Sequence, residues 1–256
     1  MPAAYSADNH SLFYPERDLT LLSNAGWPNE IALAAELSRL AYLRAETNTG
    51  EKEKLARILK VAGFGTPELL NNVAHDAYGF ASCNDSGLCV LAFRGTQIDR
   101  YQDFMTNIQV SLTPIPKAMS RGQAHAGFLK SAQAMLPPVR YWLNKMTAKR
   151  TRLVVCGHSL GGAIANLLGA YIRPDSLITF GCPRVGDDEF GDFLLNQAHL
   201  QITRVVNCCD GVPTVPQTFM GWYEHYVRNQ LPPPKGCYYT PHTYQIKTEF
   251  KGDPED

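Results

Sequence analysis

The chain has 256 residues, enough for one large α/β domain without help from disulfides, and a chain of that size buries roughly three quarters of the surface its unfolded form exposes. It is 45% hydrophobic and 19% charged, with 24 basic and 24 acidic residues and a formal net charge of +0. That balance gives no general attraction to nucleic acid or to an anionic membrane, and no run approaches the ~20 apolar residues that span a bilayer.

Read in chain order, the start MPAAYSADNHSLFYPERDL has neither a basic nor an apolar leader segment, so no secretory signal is expected from the sequence as given. The compartment stays open. Residues 1–70 are expected to form a helical N-terminal part of a single domain. Pro28–Ala45 opens with Pro and Asn and repeats apolar residues at helical spacing; Glu51–Gly63 is a second helix closed by glycine. Val73–Cys83 and Leu88–Arg94, joined by Asn84-Asp85-Ser86-Gly87, form a hairpin. Cys83 and Cys89 flank that turn and are placed to close a disulfide in an oxidising compartment. Seven cysteines is an odd number, so at least one thiol is free or pairs outside the chain. Cys156 and Cys182 sit in apolar contexts and are expected as buried thiols.

A helix is expected from Phe128 to about Met146, interrupted at Pro137-Pro138. The basic stretch Lys149-Arg150-Thr151-Arg152 is too short for a phosphate-binding surface and is expected as solvated loop charge. Strands and helices then alternate: RLVVC, a helix after Ser159, SLITFG, a short helix over about Glu189–Asn196, and QITRVVN. Alternation of this kind implies a mostly parallel central sheet with helices on both faces, whose ligands bind at the carboxyl ends of the strands.

Ser159 lies in Gly157-His158-Ser159-Leu160-Gly161, a G-x-S-x-G pattern that alone is weak evidence. Its setting adds the rest. A strand precedes it and a helix follows, as a nucleophile elbow requires. So tight a turn leaves no room for side chains at Gly157 and Gly161, and the helix N-terminus aims its free N–H groups where an oxyanion would form. A serine hydroxyl needs a base and an orienting carboxylate, which in this fold class follow in that order of Ser, acid, His. After Ser159 the histidines are His199, His225 and His242. The best-placed acid is Asp210, directly past the strand QITRVVN; Asp187 and Asp188 read as N-terminal charges of a helix. His158 is expected to pack the elbow, since adjacent residues on so sharp a turn point apart. The chain lacks H-E-x-x-H, paired C-x-x-C and G-x-x-x-x-G-K, so no metal or organic cofactor is expected.

These motifs, with AFRGTQ, HAGF (His125–Phe128), TFGCPRVGD, VVNCCDGVPTVP and a late histidine, resemble the class 3, fungal-lipase-like branch of the α/β-hydrolases, from Val90 to Gln245. The resemblance implies a serine ester hydrolase, most simply an acylglycerol lipase, with a lipid or ester substrate met at a lipid–water interface. Its nucleophile would be Ser159 and its acid Asp210, with Thr96 and the backbone N–H of Leu160 as the oxyanion hole. The stretch YYTPHTYQ around His242 matches the family's base-bearing loop, whereas GWYEHYVRN around His225 matches a region with a non-catalytic histidine. Residues 97–112 or so fall where the family carries its lid, and Ile98, Tyr101, Phe104, Met105 and Ile108 are compatible with one apolar helical stripe. The family often has Trp and Asp where this chain has Phe104 and Asn107. Alternatives within the same chemistry are a phospholipase A1 or a small-ester carboxylesterase; outside it, a silent hydrolase-fold interaction module.

Overall fold

A computed structural model of the chain describes residues 20, 22–23, 26–96, 111–207, 212–215 and 243–246. Two helices come first. In α1 (Glu30–Leu40) the Asn29 side chain accepts from the Ala32 N–H, and in α2 (Thr49–Val61) the Asn48 side chain does the same for Glu51. Each cap satisfies an N–H that the helix geometry leaves orphaned. The first helix is shorter than its apolar pattern over Pro28–Ala45 suggests, the second starts and ends two residues before the expected Glu51–Gly63, and Gly63, with φ +79, turns the chain out of α2.

Strands β1 (Glu68–Asn72), β2 (Ala77–Cys83) and β3 (Leu88–Phe93) form an antiparallel meander. Val73–His75, expected as the first part of a strand, is a short 3-10 turn. The Cys83 and Cys89 sulfurs are bonded across the β2–β3 pair. From β3 onward every pairing is parallel: β6 (Arg152–His158), β7 (Ser176–Phe180), β8 (Gln201–Asn207) and β9 (Thr243–Ile246), giving the order β1-β2-β3-β6-β7-β8-β9. A separate ribbon pairs β4 (Leu112–Pro114) with β5 (Gln123–His125). Leu112, the end of the expected lid, therefore belongs to a strand; residues 97–110 lie outside those described.

Period-two alternation splits the core in two. On β3 and β6, Cys89, Leu91, Leu153 and Val155 face one cluster while Val90, Ala92, Val154 and Cys156 face the other. The first cluster is covered by α3 (Ala126–Lys145), α4 (Leu160–Ile172) and α5 (Asp188–Leu195), the second by α1 and α2. Burial on both faces is why these strands read as near-continuous apolar runs rather than alternating ones. The mostly parallel sheet with helices on both sides is thus observed as expected.

The expected break at Pro137-Pro138 is absent: α3 runs through both prolines. A proline at position 138 supplies no N–H to the carbonyl of Ala134. The Asn72 Nδ2 at the end of β1 donates to that carbonyl at 3.4 Å, so the helix keeps an acceptor satisfied that it cannot satisfy itself. Arg152 also departs from its expected role as solvated loop charge. It opens β6 and holds Glu30 through Nε at 2.9 Å and Nη2 at 3.1 Å, tying the start of α1 to the lower edge of the sheet.

Candidate active site

The junction of β6 and α4 carries an unusual backbone. Ser159 has φ 54 and ψ −125, off the left-handed basin that the other non-glycine residues with positive φ, Asp76 and Arg173, occupy. A conformation of that kind costs of order 1–3 kcal/mol and persists only where its surroundings fix it. The surroundings are backbone. A Cβ added at Gly157 would lie 2.4 Å from the Gly161 carbonyl carbon and oxygen, and one at Gly161 would lie 2.1 Å from the Phe93 carbonyl oxygen. One at Gly95 would lie 2.6 Å from the His158 carbonyl oxygen and 3.1 Å from the Ser159 Cβ. Strand turn, helix start and the chain leaving β3 are therefore in direct contact, which only glycine allows.

That contact positions the expected oxyanion-hole residues. Arg94 continues the ladder past β3, its N–H donating to Tyr78 O at 2.9 Å, so Gly95 abuts Ser159 and Thr96 follows at the same edge. Arg94 is buried and pairs with Glu46 at 2.7 Å, and its guanidinium lies 4.0 Å from the centre of the Tyr78 ring. On the other side Leu160 opens α4. Its N–H belongs to the first helical turn, where no intrahelical acceptor exists, and the partial positive charge of the helix start faces the same edge.

The Ser159 hydroxyl is buried, at 1% exposure, and its Oγ has no hydrogen-bond partner among the described residues. A buried hydroxyl left so costs free energy that a structural serine would avoid by capping the helix, and Ser159 makes no such side-chain cap. His158 is not its partner. The His158 Nδ1 lies 2.7 Å from the Tyr42 hydroxyl, and burial pushes the imidazole pKa down to about 4. At neutral pH the ring is uncharged and packs the elbow.

Asp187 caps α5, its Oδ1 accepting from the Phe190 N–H at 3.0 Å, as expected of a helix-start charge. Asp188 follows it into that helix, its carboxyl held above the usual range by burial and by the neighbouring Asp187 and Asp192 charges. Asp210, His225 and His242 lie outside the described residues. What precedes and follows Asp210 is described: β8 ends at Asn207, at the Ser159 edge, and a 3-10 turn resumes at Val212–Thr214. Cys156 and Cys182 are free and buried, as expected, and burial raises their thiol pKa values to about 12 and about 11. Among the described residues no cluster of His, Cys, Asp and Glu is arranged to hold a metal ion, and no helix is long and apolar enough to cross a membrane.

A groove of about 710 Å³ lined by Arg121, Arg173, Glu189, Asp192 and Phe193 lies at the far end of α4. Thirteen residues of helix separate its Arg173 from Ser159, roughly 20 Å at 1.5 Å per residue. Chemistry, not cavity size, marks the site. Two roles that matter to it carried no sequence signal: Tyr42 sits within an apolar helical pattern, and Arg94, though part of AFRGTQ, shows nothing there of its ion pair with Glu46. Only the contacts with His158 and Glu46 reveal them.

Comparison with known proteins agrees with this geometry. The family model for class 3 lipases matches residues 90–220. A secreted mono- and diacylglycerol lipase of Fusarium solani is 38% identical over 107 residues, 40% of this chain and 32% of that protein. A phospholipase A1-II of Oryza sativa subsp. japonica is 27% identical over 229 residues, 72% of this chain and 57% of that one. Among solved structures, lipase II from Rhizopus niveus superposes with a TM-score of 0.61 at 25% identity, over 73% of this chain and 74% of its own. The chain spans between about a third and little more than half of the length of such curated relatives.

Proposed function

The chain belongs to the class 3 lipase family, and from that premise we propose that it hydrolyses carboxylic esters of acylglycerols through an acyl-enzyme formed on Ser159. One observation carries the reading. Ser159 holds a strained backbone and a buried hydroxyl with no partner among the described residues, at the spot where Gly95 and the start of α4 converge. In the proposed cycle His242 takes the Ser159 proton as the oxygen attacks the ester carbonyl. Thr96 and the Leu160 N–H donate to the resulting oxyanion, and Asp210 holds the imidazole in the tautomer the base needs. His242 then protonates the departing alcohol, and water repeats the sequence to release the acid.

No residue of this set other than Ser159, Leu160 and Thr96 is among those described, so the base is the assignment to test first. Register places Thr243 beside Arg204, which pairs with Thr179 and through it Gly157. The strand following His242 thus starts two rows short of Ser159, about 7 Å at ~3.3 Å per residue. That offset makes His242 the assignment to test, with His225, the sequence alternative, beside it.

The decisive experiment pairs Ser159→Ala with His242→Ala and His225→Ala on a soluble short-chain ester and on emulsified diacylglycerol, with fluorophosphonate labelling of each variant. Ser159→Ala should lower kcat by on the order of 10⁵–10⁶ and abolish labelling. His242→Ala should be nearly as damaging, and His225→Ala mild. Ester hydrolysis within tenfold of wild type in Ser159→Ala would end the proposal. Failure of the wild-type protein to label would favour a silent hydrolase-fold module. The rice phospholipase match, which covers the larger share of this chain, supports a second reading in which a diacyl phospholipid is the better substrate. Activity rising sharply above substrate solubility marks an interfacial lipase; flat activity marks a carboxylesterase.

A further inference from the structure

Strand β8 leads into the segment with Asp210, and its own side chain Arg204 reaches forward to the far side of that segment. Arg204 is buried, at 5% exposure. Its Nη2 donates to the Cys182 carbonyl at 2.7 Å and to the Pro213 carbonyl at 3.1 Å. The Arg184 N–H donates to Val215 O at 2.8 Å, so the turn after Asp210 is fastened twice to the loop that follows β7. That loop is in turn seated on the serine's helix. A Cβ at Gly162 would lie 2.9 Å from the Cys182 Cβ, and the Asn166 Nδ2 donates to the Gly162 carbonyl at 2.9 Å and to the Cys182 Sγ at 3.4 Å. A continuous path of packed atoms runs from α4 through Cys182 and Arg204 to Pro213.

A guanidinium is an expensive way to fill such a space. Its desolvation is repaid only where its donors are well used, and an apolar side chain of similar volume usually serves stability as well or better. What the fork supplies is placement, because one nitrogen holds two carbonyls of different loops at fixed distances. Asn207 ends β8 in the sheet, and Pro213, three residues after Asp210 in sequence, is held by Arg204.

We propose that Arg204 is the positioning residue for the triad acid: it holds the turn Val212–Thr214, which follows Asp210 in sequence, against the loop seated on the helix that starts at Ser159. The inference rests on the reading of Asp210 and Ser159 given above. Arg204 touches no reacting atom; it acts by setting where the carboxylate stands against the base. A carboxylate beside an imidazole stabilises the imidazolium and raises its pKa. A displaced one lets that pKa fall, so the acidic limb of the activity profile must move to lower pH.

The test measures kcat, KM and the pH dependence of kcat/KM on a soluble short-chain ester for Arg204→Met, Arg204→Lys, Asp210→Asn and the double variant Arg204→Met/Asp210→Asn, with circular dichroism to count folded protein. Arg204→Met should lose about 10²-fold in kcat per folded molecule, the scale of a misplacement near 1 Å, with KM within about twofold. Its acidic limb should shift down by about half a pH unit or more, and Arg204→Lys, which keeps charge and donors but not the fork, should recover part of both effects. The double variant should be no slower than Asp210→Asn alone, since residues acting as one unit are not additive. Losses that multiply in the double variant, or an unshifted acidic limb in Arg204→Lys and Arg204→Met, would overturn the inference while leaving the triad reading intact. Wild-type activity in Asp210→Asn would overturn both.

Discussion

Acid should destabilise this protein at the turn that carries Ser159, and His158 sets the size of the effect. Burial holds its imidazole near pKa 4 in the folded chain against the ordinary 6.5. Between those two values the unfolded chain binds a proton that the folded chain does not, so stability rises with pH across that window and is lost as pH falls. The full penalty is about 3 kcal/mol, from 1.36 kcal/mol for each pH unit between the two pKa values. Between pH 7 and pH 5 alone it is about 2 kcal/mol, a large share of the roughly 5–15 kcal/mol that keeps a domain folded. The assay is urea unfolding of wild type and His158→Gln at several pH values from 7 to 4.5. Glutamine does not titrate, and its carbonyl can still accept from the Tyr42 hydroxyl that His158 Nδ1 meets at 2.7 Å. Other groups contribute to acid unfolding in both proteins, so the difference between the two curves isolates His158. Wild type should lose about 2 kcal/mol more than the variant between pH 7 and pH 5, or roughly 4–8 °C in Tm. Parallel curves over that range would refute the assignment of a buried neutral imidazole at the elbow.

Two glycines of α4 should respond very differently to alanine. Gly161→Ala puts a methyl 2.1 Å from the Phe93 carbonyl oxygen and 2.8 Å from the Arg94 carbonyl carbon, all backbone, so β3 and the elbow must part. It should cost 1–3 kcal/mol or so in thermal unfolding and at least about 10²-fold in kcat. Gly169→Ala meets the Leu177 side chain first, at 3.3 Å, and should leave kcat unchanged, with the helix-propensity gain of about 0.5–1 kcal/mol largely offset by the small shift that the buried Leu177 must make. Glu46→Gln strands the buried Arg94 guanidinium that holds the approach to Thr96. Denaturant unfolding should show a loss of roughly 3 kcal/mol, and a change within about 0.5 kcal/mol would mean that the Tyr78 ring alone supports the charge.

The sequence spoke clearly where one physical signal dominated. QITRVVN is the strand Gln201–Asn207 to the residue, and RLVVC lies within β6, because central parallel strands are apolar on both faces and end at turn residues. Ser159 was legible for the same reason: only glycine fits around so close a turn, so the pattern carries its own geometry. Signals failed where a partner distant in the chain decides the outcome. Glu68–Asn72 holds two asparagines, yet it is strand β1, an edge that β2 pairs on one side. Two adjacent prolines read as a helix break, yet Asn72 answers for the carbonyl that one of them leaves free. Thr243–Ile246 belonged to a stretch read as loop and is a strand on the far edge of the sheet. Tyr42, Glu46 and Arg204 matter through contacts 9 to 116 residues away, which no local period encodes.

Among the described residues, Asp76, Ser159 and Arg173 are the non-glycines with positive φ, and their differences say which one local structure leaves unexplained. Asp76 and Arg173 close a 3-10 turn and a helix in the left-handed basin, with ψ of 38 and 68. Such ends are where that basin is used, so local structure explains both. Ser159 has ψ −125 and begins a helix that any ordinary cap could begin. Glycine would hold that backbone without strain, and glycines already stand two residues to either side. A side chain is kept there despite the strain, and its hydroxyl forms no bond among the described residues that would reward the fold. Strain that local structure does not explain is common where a side chain acts on another molecule, which is the role proposed for Ser159. The crowding at Gly95, Gly157 and Gly161 fits the same role: Gly95 abuts Ser159 itself, Gly157 meets Gly161 across the turn, and Gly161 meets the backbone leaving β3, so the hydroxyl has a fixed address before any substrate arrives.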